Sequence, residues 1–141
     1  MGKRVVSLEI NQWIEYQSQE DELREHYHWL GQGELVELSS FSRLAYVDEN
    51  DARIELKWRP DSVSSRPSLL EIRQPAYTLF FDLEGMTVTP YQTPQGIWDL
   101  NVKTLAMSWA TVEGVQRLDL SYELILNEEL LGKYDFQLIY Q

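Results

Sequence analysis

His26 and His28 stand one residue apart, and on a β-strand that spacing turns both imidazoles to the same face. Two imidazoles so placed can begin a metal site, which then needs a third ligand such as Glu or Asp from a neighbouring strand. No residue is singled out for that role, and two histidines hydrogen-bonded on an exposed hairpin have the same pattern. No metal or other cofactor is assigned. Carboxylates are plentiful, with 23 Asp and Glu against 12 Lys and Arg, so some pair of them must lie close together. Such a pair does acid–base work only where its two environments drive the pKa values apart. A solvated acidic face accounts for these residues as they stand. Ser64-Ser65 lies in a serine- and proline-rich stretch with no local histidine and no nucleophile-elbow motif. The glycines stand apart, mostly at turns, and form no phosphate cradle. No enzyme class is supported, and the protein is expected to be non-enzymatic.

Two further groups suggest binding. Arg53, Lys57, Arg59, Arg66 and Arg73 gather within 21 residues around Trp58, a composition that suits stacking on a nucleic acid. The interleaving Arg53-Glu55-Lys57 is more simply a solvent-facing cross-strand ladder. The formal net charge of −11 also repels a phosphate backbone, so nucleic-acid binding is not expected and the charge is assigned to solubility. The second group is apolar. Trp58, Phe81, Trp98, Tyr122, Phe136 and Tyr140 fall on apolar strand faces and are the candidate ligand-binding residues of a barrel interior. A small barrel is either filled by its side chains or holds one small ligand, and large aromatic rings favour filling.

Strands must position these residues. In Arg117–Leu126 the even positions are Leu118, Leu120, Tyr122, Leu124 and Leu126, opposite Arg117, Asp119, Ser121 and Glu123. Strict period-two alternation marks a strand with one buried face. It resumes with Tyr134, Phe136, Leu138 and Tyr140 opposite Asp135 and Gln137, so a hairpin is expected, with Asn127 and Gly132 as turn residues. Near the start, Val6, Leu8, Ile10 and Ile14 form an apolar face that Gln12 interrupts. Gln17–Asp21 reads as a turn, and Arg24–Leu30 as a strand that Gly31-Gln32-Gly33 closes in a hairpin-like connection.

Arg43–Val47 and Ala52–Trp58 read as a hairpin across an Asp/Asn turn, and Pro60–Ser68 as a loop. Leu69–Arg73, Tyr77–Leu83 and Met86–Tyr91 are further strands. In the turn after Thr93, Gly96 is free to take positive φ. Trp98, Leu100 and Val102 then alternate on even positions, but from Leu105 the apolar set moves to odd ones through Met107 and Trp109. A one-residue change of phase is the mark of a β-bulge. Only Leu35–Leu44 admits one short helix. The expected class is all-β: an antiparallel up-and-down barrel of about eight to ten strands, of the calycin or lipocalin kind.

A chain of 141 residues is read as a single domain, 1–141. The absence of cysteine excludes disulfides and thiol nucleophiles and fits a reducing cytoplasm, the expected location. Lys3 and Arg4 precede an alternating segment instead of a continuous apolar run, so neither a signal peptide nor a membrane span is expected. At residues 89–104, TPYQTPQGIWDLNVKT, and 118–140, LDLSYELILNEELLGKYDFQLIY, the chain resembles the YwiB-like family of bacterial proteins, a domain-of-unknown-function family. Tyr91, Thr93, Pro94 and Gly96 carry one shared element and Tyr122 and Leu124 another. The resemblance implies a calycin-like barrel over nearly the whole chain and transfers no catalytic or ligand-binding position. The expected function is binding of a small apolar or amphipathic molecule in or at the mouth of the barrel. The alternative is a side-chain-filled barrel serving as a protein-interaction or structural module, such as a homodimer paired through a strand edge or apolar patch. Trp13, Trp29 and Trp109 are not assigned to either face.

Overall fold

A computed structural model describes residues 2–16, 23–59 and 69–141. Among the described residues there are ten strands and no helix, so none is present that could cross a membrane. They are β1 (Gly2–Tyr16), β2 (Leu23–Glu37), β3 (Ser42–Val47), β4 (Arg53–Trp58) and β5 (Leu69–Arg73), followed by β6 (Thr78–Asp82), β7 (Thr87–Thr93), β8 (Gly96–Val112), β9 (Val115–Leu126) and β10 (Glu129–Tyr140). Hydrogen-bonded neighbours run β6-β5-β4-β3-β2-β1-β10-β9-β8-β7, all antiparallel. Consecutive strands are therefore adjacent, and β1 against β10 joins the two ends of the chain.

The alternation that marks the strands decides which face is inside. On β9, Leu118, Leu120, Tyr122 and Leu124 are buried, and the residues between them are not. Val6, Leu8 and Ile10 of β1, Leu44 of β3, Leu56 of β4, Leu70 of β5, Phe81 of β6 and Leu138 of β10 meet the same interior. The phase change at Leu105 is a bulge: pairing with β9 slips between Thr104 and Ala106, Leu105 turns out to solvent, and Met107 turns in.

β6 and β7 form the seam of the barrel. They are consecutive in sequence yet share no backbone ladder. Side chains bridge them instead: the Thr89 hydroxyl donates to the Thr78 carbonyl at 2.7 Å, and the Thr87 hydroxyl to that of Phe80. Thr89 is only 3% exposed, so both its hydroxyl and the carbonyl it serves depend on this bond.

Three local expectations change. Leu35–Leu44 holds no helix; Leu35 and Leu44 are directly opposite on β2 and β3, both fully buried, and the chain reverses through Ser39-Ser40. The apolar residues there belong to two strand faces. Gly31-Gln32-Gly33 is not a hairpin connection, because β2 runs straight through it. A Cβ at Gly33 would stand 2.7 Å from Leu8 Cδ1 and 2.9 Å from the Ala45 carbonyl, so glycine is needed where β2 is squeezed between β1 and β3. The C-terminal hairpin turns on Asn127 and Glu128 alone, with φ of 51° and 65°. Two left-handed residues make the tight turn whose twist suits a hairpin, and Gly132 lies inside β10 past a bulge at Leu131. Gly96 does take positive φ, 123°. The turn read at Gln17–Asp21 and the loop at Pro60–Ser68, with Ser64, Ser65 and Arg66, lie outside the described residues.

Thr89→Val keeps the side chain's shape but strips the seam of its buried donor, and is expected to lower the unfolding free energy by about 1–2 kcal/mol in urea. A change under roughly 0.3 kcal/mol would show that the seam closes without it.

Candidate functional site

Strands of a barrel bring their inward residues to one end or the other according to position along the strand. At the end where β3 turns into β4 and β9 into β10, the inward positions are tyrosines: Tyr27 on β2, Tyr46 on β3, Tyr77 before β6, Tyr122 on β9 and Tyr134 on β10. With them, Ile72, Leu79, Leu124 and Phe136 enclose a cavity of about 460 Å³. Ile72, Leu79, Leu124 and Phe136 are buried, whereas Glu25, Glu49 and Asn50 at the edge are exposed. The walls thus grade from apolar to acidic.

The opening has a structural cause. The ladder between β2 and β3 ends at Glu34 and Ala45, just past Gly33, and from there the strands diverge. Side chains span the gap: the ring of Trp29 lies 4.9 Å from that of Tyr46, and the Tyr27 hydroxyl donates to Glu49 Oε2 at 2.7 Å. Deeper in, Tyr122 stacks nearly parallel on Tyr134, with ring centres 4.9 Å apart, and meets Phe81 edge-on at 4.7 Å. Gln12, which breaks the apolar face of β1, donates from Nε2 to the Tyr122 hydroxyl at 3.1 Å.

These phenols are held in their neutral form. Burial pushes the pKa of Tyr122 far up, and the neighbouring Tyr134 and Tyr77 add to it. Burial likewise raises Tyr46, followed by Tyr27 and the charges of Asp48 and Glu49. Tyr27 is raised by burial and by its bond to Glu49. Tyr134 is pushed up to about 12, chiefly by burial.

Of the six candidate residues, Tyr122 and Phe136 line the cavity. Phe81 lies directly beneath, fully buried. Trp58 and Tyr140 are inside but at the opposite end, where their rings lie 6.5 Å apart and Trp109 packs 4.7 Å from Trp58. Trp98 is not part of the interior: it is 38% exposed, beside the Asn127-Glu128 turn. Its parity matches that of Leu100 and Val102, but it stands near the strand end, beyond the side chains that cover them. Tyr27, Tyr46, Tyr77 and Tyr134 were not in the sequence-derived set, nor was Gln12. The polar break at Gln12 in an apolar face is the signal that points to them.

The other candidate chemistries resolve into surface pairs. His28 Nε2 lies 2.9 Å from Glu9 Oε2, His26 Nε2 lies 3.1 Å from Asn11 Oδ1, and the His26 ring stacks 4.8 Å from Trp13. Each histidine has its own partner, and no group of three or more potential ligands is gathered among the described residues. Arg43, Lys57 and Glu71 face one another across β3, β4 and β5; Arg53 pairs with Glu55 at 3.0 Å and Arg73 with Glu71 at 3.6 Å. Acidic residues thus interleave with Arg53, Lys57 and Arg73 of the basic cluster, as Glu55 and Glu71.

The family model described as a domain of unknown function, DUF1934, matches residues 11–138. The chain belongs to that family. The crystal structure of the ywiB protein from Bacillus subtilis superimposes with a TM-score of 0.72 at 14% identity, covering 99% of this chain and 92% of that one. That likeness shows a shared fold and bears out the YwiB-like barrel. No curated relative matches the sequence.

For this DUF1934 barrel the phenols set an alkaline limit. A folded-state pKa above the ordinary 10.0 means that the unfolded chain loses its phenolic protons first. Stability from these groups is intact below pH 10 and falls as pH rises from 10 towards 12. Absorbance at the phenolate band is expected to lag that of free tyrosine until unfolding releases the remainder in one step. Full ionisation along the free-tyrosine curve, with native circular dichroism retained, would contradict the burial described above.

Proposed function

We propose that this chain is a non-enzymatic, cytoplasmic binding barrel that takes one small amphipathic molecule at its tyrosine-lined mouth. The supporting observation is the cavity of about 460 Å³, floored by Ile72, Leu79, Leu124 and Phe136. Its size falls within the roughly 300–1,000 Å³ of small-molecule sites. The change from apolar floor to polar edge suits a ligand with an apolar body and a polar end. Below Tyr122 the interior is packed by Phe81, Val102, Leu120 and Leu138, so the ligand lies at the mouth and not along the barrel. A binding role is also the better match for the ionisable groups. Phenols raised above their usual pKa neither give nor take protons readily near neutral pH, and acid–base catalysis needs groups that do.

Nile red, an uncharged dye that brightens in apolar surroundings, is expected to bind at one saturable site. Ile54 lines the cavity, and Ile54→Trp fills it. This variant is expected to weaken uptake by about tenfold or more, a loss of roughly 1.4 kcal/mol, with its melting transition retained. Dye emission unchanged by the folded wild-type protein would remove the proposal.

A further inference from the structure

Taking the mouth as a ligand site, we propose that it selects an organic cation, an amine or quaternary ammonium carried on an apolar body. Three carboxylates, Glu25, Asp48 and Glu49, line the cavity, and no Lys, Arg or His does so among the described residues. The walls between carboxylates and floor are phenol rings, whose faces are electron-rich and attract cations, more so when shielded from water. The stacked pair Tyr122 and Tyr134 offers such a face, with Tyr134 half-buried and in contact with the cavity.

A second observation concerns the polar atoms inside. Tyr46 lines the cavity, is nine-tenths buried, and its hydroxyl donates to no described residue. Its oxygen can accept from the N–H of an amine, whereas a quaternary ammonium, which has no N–H, is held by the carboxylates and the ring faces alone. Glu49 is already oriented: it accepts the Tyr27 hydroxyl at Oε2, leaving its other oxygen for a ligand, and Glu25 takes the Tyr16 hydroxyl at 3.3 Å in the same way. An anion would meet only negative charge here. A neutral molecule would fill the floor but gain no charge attraction at the edge.

Three probes of equal chain length separate these cases: octyltrimethylammonium, octanol and octanoate, each titrated against Nile red bound to the full chain. The cation is expected to displace the dye at about one tenth the concentration of octanol, with octanoate the weakest. Added sodium chloride should shrink that preference in the wild-type protein, because the edge charges are solvent-accessible. The double variant Glu25→Gln, Glu49→Gln keeps an acceptor for each phenol and is expected to bring cation and octanol within about threefold, leaving octanol itself unchanged. Glu84→Gln, at the far end of the barrel, should behave as wild type. Equal displacement by octanol and the cation, or a preference that ignores both salt and the double variant, overturns cation selection and leaves the amphipathic mouth standing. If none of the three binds and the dye is also excluded, both readings fall.

Discussion

Tyr122 is where packed core gives way to open mouth. Its ring is held from below by the edge contact with Phe81 and from the side by Tyr134 directly across the β9–β10 ladder, while Gln12 fixes its hydroxyl. A leucine in its place would take away the hydroxyl to which the half-buried Gln12 amide donates. A phenylalanine would keep the stack but lose the same bond. The position therefore joins two requirements that usually conflict, a dry ceiling for the core and a polar contact inside the barrel. Below it Phe81, Val102, Leu120 and Leu138 are closely packed, and around the mouth Tyr27, Tyr46, Tyr77 and Tyr134 share the lining with aliphatic residues.

Closure of the sheet explains why only one flank is loose. Ten strands need ten lateral junctions to make a barrel, and nine are backbone ladders. The tenth, between β6 and β7, relies on Thr87 and Thr89. Opening at that seam is limited because Thr89 is buried. The gap between β2 and β3 is different: the ladder there is present but short, and the divergence after Gly33 is spanned by side chains at the protein surface. The seam is tied by a buried hydroxyl, whereas the gap is bridged at the surface by the exposed Tyr27–Glu49 pair.

Most of the fold was legible because side-chain parity is a local property. Alternation on β9, β10 and β4 identified their buried faces residue by residue, and the slip at Leu105 was visible in the apolar positions alone. What was not legible depends on residues far apart in sequence. Gly33 looks like a turn residue until Leu8 and Ala45 are seen against it. The seam between β6 and β7 resembles an ordinary hairpin, since a missing ladder leaves no trace in either strand. The site was half legible for the same reason. Parity says that Tyr122, Phe136, Trp58 and Tyr140 face inward, but height along the barrel axis depends on the register of every strand, which parity does not carry. Two of the four therefore lie at the mouth and two at the opposite end.

Tyrosine is also the residue that lets such a mouth stay open. Leucine or phenylalanine at positions 27, 46, 77 and 134 would either collapse onto the floor or expose a continuous apolar patch, a site for aggregation. Phenols cover the same apolar area with their rings and present a hydroxyl at the edge, so the opening is wettable without being polar throughout. The carboxylates at the edge then act twice. They accept phenol hydroxyls, which keeps the rings upright, and their charge makes ionisation of those phenols unfavourable, which keeps the rings neutral. Burial supplies most of that neutrality, and the acidic edge adds to it at Tyr27 and Tyr46.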